Sequence, residues 1–326
     1  MKTPIVYTLI SSEKDYFLEE LWVSLYSLRQ FHPEVTVNVL VDEPTKKYVE
    51  RFPELCGMIT NIVVVPVPEN YNAKQRSRVI KTTVRNVIDG AYLFIDTDTV
   101  ICKPLDDIDN LTCDIAAVPD GHLPLSECMF SPTNSVNKIF KTDVSDSKYW
   151  FNSGVMFVAD NEQTRKFYKR WNENWTYSCF KKGQSQDQPA LLVTDKEFGY
   201  IISELPGIYN AQVAMSLKYF ADAAIVHWWH MSFIENQDYS PFFSLQIYKD
   251  VKTAKGLTAD IKELIMHCKQ SFVSPTMPVG KEHIYFLFSP AGKIFNRIYK
   301  EGGAASFLMN KCAAILEKIH KYTKKK

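Results

Sequence analysis

The 326-residue chain lacks several features that would assign it to a class at once. Its seven cysteines, at positions 56, 102, 113, 128, 179, 268 and 312, include no C-x-x-C pair and no zinc-type spacing. An odd number of scattered thiols fits a reducing compartment rather than a disulfide framework. No apolar run is long enough to cross a bilayer, and residues 5–10 carry no signal-peptide pattern. The expected location is therefore cytoplasmic, with association at the inner face of a membrane left open by the C-terminal charge described below. Net charge is only +1, so nothing marks the chain as a nucleic-acid binder. There is no internal repeat. No glycine-rich phosphate loop follows the first apolar run, where Ile10-Ser-Ser-Glu-Lys14 stands, and this argues against a nucleotidyltransferase.

What is present is a large aromatic inventory, 20 Phe, 17 Tyr and 6 Trp, enough for a substantial core. Residues 5–10 read as a buried strand. Phe17, Leu18, Leu21, Trp22, Leu25 and Leu28 then recur at helical spacing. A β-branched strand at 35–41, a short helix at 45–52 and a strand at 62–65 follow. This alternation predicts an α/β fold with a doubly wound, mostly parallel sheet. Ligands bind such sheets at the carboxyl ends of the strands. Residues 93–95 form another apolar strand, and it ends in Asp96-Thr-Asp98. Burying carboxylates without a partner is unfavourable, and a hard divalent cation, Mg²⁺ or Mn²⁺, suits such oxygens. Asp-x-Asp is common at helix N-termini and in loops, so its weight comes from context: residues 8–11 and Asp42 fall at strand ends too.

A helix predicted over 73–88 carries Lys74, Arg78, Lys81 and Arg85 as a stripe. Arg85 reads as part of a solvated face, whereas Arg78 and Lys81 are candidates for reaching phosphates. A strand over 114–120 ends in Asp120, and an irregular polar segment, 121–148, reads as a long loop of an acceptor site or lid. Asn152 and Gly154 sit in the next strand, 149–158: one suits sugar hydroxyls, the other permits close backbone approach. Gln186-Asp187-Gln188 opens an apolar helix, as a cap or as a polyol site. A short strand is expected over 205–209, leading into Asn210. Residues 223–230 read as a strand ending in imidazoles, with His227 a candidate third metal ligand.

Beyond residue 232 the alternation stops, so residues 1–231 are expected as the catalytic domain and 232–326 as a largely helical extension. From Lys293 onward nine Lys/Arg face two Glu, while Leu308, Cys312, Ile315, Ile319 and Tyr322 keep helical spacing. Such a helix is expected either to lie on an anionic membrane surface or to dock on the catalytic domain.

The order of these motifs resembles the GT-A glycosyltransferases, and within them the retaining family 8, which includes bacterial lipooligosaccharide glycosyltransferases and glycogenin. The resemblance covers residues 3–230. It rests on Leu93-Phe-Ile-Asp96-Thr-Asp98, Phe151-Asn152-Ser-Gly154-Val, Gln186-Asp187-Gln188 and His227. It implies a metal-dependent hexosyltransferase using a UDP-sugar donor and a glycan or glycolipid acceptor, with Mn²⁺ or Mg²⁺ held by Asp96, Asp98 and His227. Thr8 and Tyr16 would face the nucleotide base, with Asp42, Arg78, Lys81, Thr97, Asp120 and Gly154 also in the donor site. Asn152, Asp187 and Gln188 would line the reacting carbon. The family's lysine after the late histidine is absent, since Trp228-Trp-His230-Met231 stands there, and His230 or Lys81 is the candidate substitute. An inverting GT-A enzyme, with Asp187 as base, and a non-catalytic sugar-nucleotide or glycan-binding protein are the alternatives.

Overall fold

A computed structural model describes residues 1–128, 132–229, 240–273, 286, 289–301 and 303–323. The strands are β1 Ile5–Leu9, β2 Val37–Val41, β3 Asn61–Val64, β4 Tyr92–Ile95, β5 Thr99–Ile101, β6 Ile115–Pro124, β7 Tyr149–Val158, β8 Ile202–Glu204, β9 Ala211–Gln212 and β10 Ile225–His227. The helices are α1 Phe17–Phe31, α2 Glu43–Val49, α3 Pro53–Cys56, α4 Ala73–Thr83, α5 Pro132–Phe140, α6 Glu162–Lys182, α7 Gln188–Glu197, α8 Gln246–Ala254, α9 Ala259–Met266, α10 Pro290–Glu301 and α11 Gly303–Thr323.

Seven strands form one sheet in the order β3-β2-β1-β4-β7-β6-β8. The pairs β1–β2, β2–β3, β1–β4 and β6–β8 are parallel, while β7 runs antiparallel between β4 and β6. A parallel strand covered on both faces is buried along its length, as Val37–Val41 is at every position, and its one polar member, Asn38, accepts from Asn61 Nδ2 at 2.8 Å. Side chains alternate between the faces. Ile5, Tyr7, Leu9, Leu93 and Ile95 join a core with Leu18, Leu21, Trp22 and Leu25 of α1. Val6, Tyr92 and Phe94 join the opposite core with Ile80 of α4 and Phe167, Trp171 and Trp175 of α6. By this parity Asp96, two residues after Phe94, belongs to the α4 side.

Caps place the helices at the strand ends. Asp42 accepts the Thr45 backbone N–H at 2.9 Å and starts α2, with Pro44 in its first turn. Asn72 and Gln75 form a reciprocal capping box on α4. The C-terminus of α6 closes on Gly183, whose φ of 69° is unfavourable for a side chain.

Three expectations are corrected. The polar segment 121–148 is not one loop: β6 runs to Pro124, and α5 packs Val136 into a small core with Leu192 and Trp150. The strand expected over 205–209 is instead β8 at 202–204, followed by a 3-10 turn at Gly207–Asn210, since Pro206 cannot donate to a ladder. Arg85 is not solvated. It is fully buried, donates to the carbonyls of Gly90 (2.7 Å), Ala159 (3.3 Å) and Ile88, and stacks 5.0 Å from the Tyr92 ring centroid. Helix α4 ends at Thr83, so Arg85 leaves the helical stripe and turns into the core.

The expected boundary at 231/232, His230, and Lys324 to Lys326 lie outside the described residues. No helix among the described residues is long and apolar enough to cross a membrane. On α10 and α11, Ile294, Phe307, Leu308, Ile315 and Leu316 are exposed.

Arg85→Ala removes a fully buried guanidinium together with its hydrogen bonds to three carbonyls and its 3.6 Å ion pair with Asp160. We expect a loss of about 3 kcal/mol or more in urea unfolding. A loss under about 1 kcal/mol would show that the guanidinium is not what ties the turn at residues 88–90 to Ala159, just after β7.

Candidate active site

A second, three-stranded sheet in the order β5-β10-β9 carries the candidate site. Strand β10 runs antiparallel to β5, with His227 opposite Thr99, Val226 opposite Val100 and Ile225 opposite Ile101. This register delivers an imidazole from the late chain to the segment just after Asp98. The Trp228 N–H then donates to the Asp98 carbonyl at 3.0 Å, and the His227 Nε2 lies 3.0 Å from Asp98 Oδ1. One ligand atom from each of Asp96, Asp98 and His227 falls within 4.8 Å of the others.

The neighbouring strand makes room for this. Asp96 donates its backbone N–H to Gly154 O at 2.7 Å. A β-carbon on Gly154 would stand 2.5 Å from His227 Cε1, 2.8 Å from Asn152 Oδ1 and 3.0 Å from Asp96 Oδ2. Only glycine allows the three groups to converge. Beneath them, Thr99 Oγ1 donates to the Asp96 carbonyl at 2.9 Å and meets Ser24 Oγ at 2.9 Å, which in turn meets Tyr7 OH at 3.0 Å. Thr97 Oγ1 donates to Glu20 at 3.2 Å.

A directed run of amides orients the histidine. His227 Nδ1 bonds Asn210 Oδ1 at 2.9 Å, so the ring donates there and turns Nε2 toward the acids. Asn210 Nδ2 donates to Asn152 Oδ1 at 2.9 Å, and Asn152 Nδ2 donates to Asp120 Oδ1 at 2.9 Å. Gln188 Nε2 donates to the same Asp120 oxygen at 3.1 Å and to Phe151 O at 3.2 Å. Burial raises the Asp120 carboxyl above its ordinary range, against the lowering effect of these donors.

On the α4 side, the buried Lys81 donates to both Asp96 oxygens at 3.0 Å and lies 4.9 Å over the Phe94 ring. Asp187 accepts from Ser153 Oγ at 2.8 Å and forms ion pairs with Arg78 Nε at 2.9 Å and Lys81 at 3.9 Å. It makes no side-chain cap on α7. Burial pushes the Asp187 pKa up, but Arg78, Lys81 and Ser153 outweigh it and hold the group at about 2. Burial also raises Asp96, with the Asp98 charge adding to it and Lys81 opposing. Burial disfavours His227 charge, yet Asp98 and Asp96 keep its pKa above that of free imidazole. Paired carboxylates with a raised member, an imidazole aimed at them and a gap only glycine permits are chemistry that fits a hard divalent cation.

The structure thus brings Arg78, Lys81, Asp96, Asp98, Asp120, Asn152, Gly154, Asp187, Gln188 and His227 into one network. Thr97 reaches Glu20 beside it. Among the described residues, no side-chain hydrogen bond or ion pair joins Thr8, Tyr16 or Asp42 to that network. Thr8 lies on β1 opposite Leu40, Tyr16 lies under Lys252 Nζ at 4.9 Å, and Asp42 is ion-paired to Arg76. Sequence reading missed Asn210 and Ser153 as members. Asn210 is only the polar end of a short apolar run, and its role depends on a register that no local pattern encodes.

No curated protein matches by sequence. The profile of Glycosyl transferase family 8 matches residues 8–232. Among solved structures, the galactosyltransferase LgtC, in complex with donor and acceptor sugar analogues, superposes with a TM-score of 0.52 at 16% identity, covering 84% of this chain and 98% of LgtC. The bifunctional glycosyltransferase WbbM gives 0.53 at 12% identity over 79% of this chain, which spans only 52% of WbbM. The glycosyltransferase GlyE of Streptococcus pneumoniae TIGR4 gives 0.50 at 14% identity, covering 85% of this chain and 67% of GlyE. At these identities the structural likeness speaks for the GT-A fold, and the profile, spanning well over half of the sequence, speaks for the family: the chain belongs to glycosyl transferase family 8.

Proposed function

We propose that the protein transfers a hexose from a UDP-sugar to a hydroxyl of a glycan or glycolipid, with retention at the anomeric carbon. The observation that carries this is the Asp96–Asp98–His227 convergence within a family 8 chain. Those three residues are the proposed ligands of Mn²⁺ or Mg²⁺, and a cation bound there supplies Lewis-acid stabilisation to the departing diphosphate. Thr8, Tyr16, Asp42 and Thr97 are assigned to the nucleotide. Arg78 and Lys81 bring fixed positive charge toward the phosphates, a role that preorganised cations fill without reorganising during the reaction. Lys81 is the better substitute for the family's missing lysine, being already buried against Asp96. Asp120, Asn152, Gly154 and Gln188 form the sugar-facing wall, where Gln188 keeps its carbonyl oxygen available while its amide is held by Asp120.

The state of Asp187 favours retention over inversion. Inversion needs a base to take the acceptor proton, and an efficient base has a pKa near the working pH. Asp187 sits at about 2 and is paired to Arg78 and Lys81. It is a weak proton acceptor and a steady negative charge, suited to stabilising an oxocarbenium-like centre. The exposed apolar residues of α11, beside its lysines, support a further assignment: contact with the anionic inner face of a membrane.

Five measurements test this. Asp98→Ala should lose metal-stimulated UDP-sugar hydrolysis, measured without acceptor, and Asn210→Leu should weaken Mn²⁺ binding about 10- to 100-fold, as loss of a ligand's outer partner does. Undiminished turnover of Asp98→Ala in chelator would remove the metal assignment, and a thermal-shift screen of nucleotide sugars with and without Mn²⁺ identifies the donor. Asp187→Asn should cost about 2 kcal/mol of stability at neutral pH. Because the folded pKa is depressed, that difference is present above pH 4 and shrinks as pH falls toward 2; a gap unchanged at pH 2 contradicts the ion-pair account. Finally, the chain should sediment with phosphatidylglycerol vesicles and not with phosphatidylcholine ones, and removing residues 303–326 should abolish this.

A further inference from the structure

A cavity of about 350 Å³ opens between α1, the end of α2 and α8. None of its lining residues belongs to the acid–histidine network. Its volume falls at the lower end of small-ligand sites, roughly 300–1,000 Å³. Two of its lining side chains are almost wholly buried and incompletely bonded: Glu19, 2% exposed, and Trp22, 1% exposed. Glu19 Oε2 and Trp22 Nε1 have no hydrogen-bond partner among the described residues. A buried acceptor and a buried donor left open at one cavity are costly, because each has surrendered water without replacement.

One chemical group answers both. A hydroxyl donates to a carboxylate oxygen and accepts from an indole N–H. The remaining walls suit a ring bearing several hydroxyls. Phe52 stands edge-on to Trp22, with centroids 5.7 Å apart, and to Tyr48 at 5.5 Å, giving an apolar floor. Arg51 lies 5.4 Å over the Tyr48 ring and is ion-paired with Glu13. Lys252 is 3.6 Å from Glu19 Oε1 and donates to the Asp15 carbonyl, which leaves the second Glu19 oxygen for a ligand. Lys255 closes α8 in the left-handed region at φ 54°, where glycine is the less strained choice, and its side chain lines the cavity.

We infer that this cavity is a carbohydrate subsite, separate from the transfer site, that takes one uncharged or singly anionic sugar unit through Glu19 and Trp22. It does not draw on the metal assignment, and a sugar bound here would anchor a glycan away from the reacting bond.

Saturation-transfer NMR with methyl α- and β-glycosides of glucose, galactose and N-acetylglucosamine tests it, using the full chain with UDP and Mg²⁺ present. At least one glycoside should show transfer, with affinity about tenfold weaker in Glu19→Gln and in Trp22→Phe. Lys255→Ala, an exposed change at the mouth of the cavity, should also weaken it, whereas Asp98→Asn should not. If no glycoside shows transfer, if the signal survives Glu19→Gln combined with Trp22→Phe in a folded protein, or if it is lost in Asp98→Asn while Lys255→Ala leaves it unchanged, the cavity holds water only and the inference falls.

Discussion

The pairing of Thr99 with His227 is the constraint on which the site rests. Two three-residue strands, far apart in the chain, meet in one register, and that register turns an imidazole toward two carboxylates. Side chains alternate along a strand, so a slip of one residue would send the imidazole to the opposite face. The register is held from both ends. Thr99 is fixed by the hydroxyls of Ser24 and Tyr7, which tie β5 to α1 and β1. Asn210 holds the far nitrogen of His227 and passes its own amide to Asn152. The metal-facing and sugar-facing halves of the site are therefore not independent. They share one unbroken series of donors ending on Asp120.

Charge arrangement follows from this geometry. Lys81 and Arg78 occupy the α4 face because Asp96 continues the alternation of Tyr92 and Phe94 toward that helix. The buried Asp187 completes an electrostatic square with Lys81, Arg78 and the half-buried Asp96. Isolated buried charges are unfavourable by several kcal/mol, but here each has an opposite partner within 4 Å. The charges of this cluster are already placed against one another before a substrate arrives, which is the condition for electrostatic catalysis.

Much of this was legible in the sequence, and the reason is local. Buried parallel strands read as apolar runs, and the acids at 96 and 98 stand where such a run ends. Helix α1 shows its apolar face at regular spacing. The failures have a common physical origin. Arg85 continues the charge stripe of α4 in sequence, but the helix stops two residues earlier and the side chain turns inward to three carbonyls. Segment 121–148 is polar because its helix covers only a small satellite core. Asn210 and Ser153 act through partners remote in sequence, so their roles appear only once the strands are paired.

Trp228 follows His227 directly, and its indole is stacked on Phe242 at 4.6 Å, with Phe243 edge-on at 5.1 Å and Phe272 at 5.9 Å. Those rings come from beyond residue 240, a stretch with none of the motifs that mark the chemistry. Chain surgery near residue 231 would strip an aromatic clamp from the residue adjoining the imidazole and expose a large apolar patch where the short β10 begins its return. The C-terminal stretch is in this sense part of the scaffold of the site, and an excised front portion would be a poor stand-in for the whole.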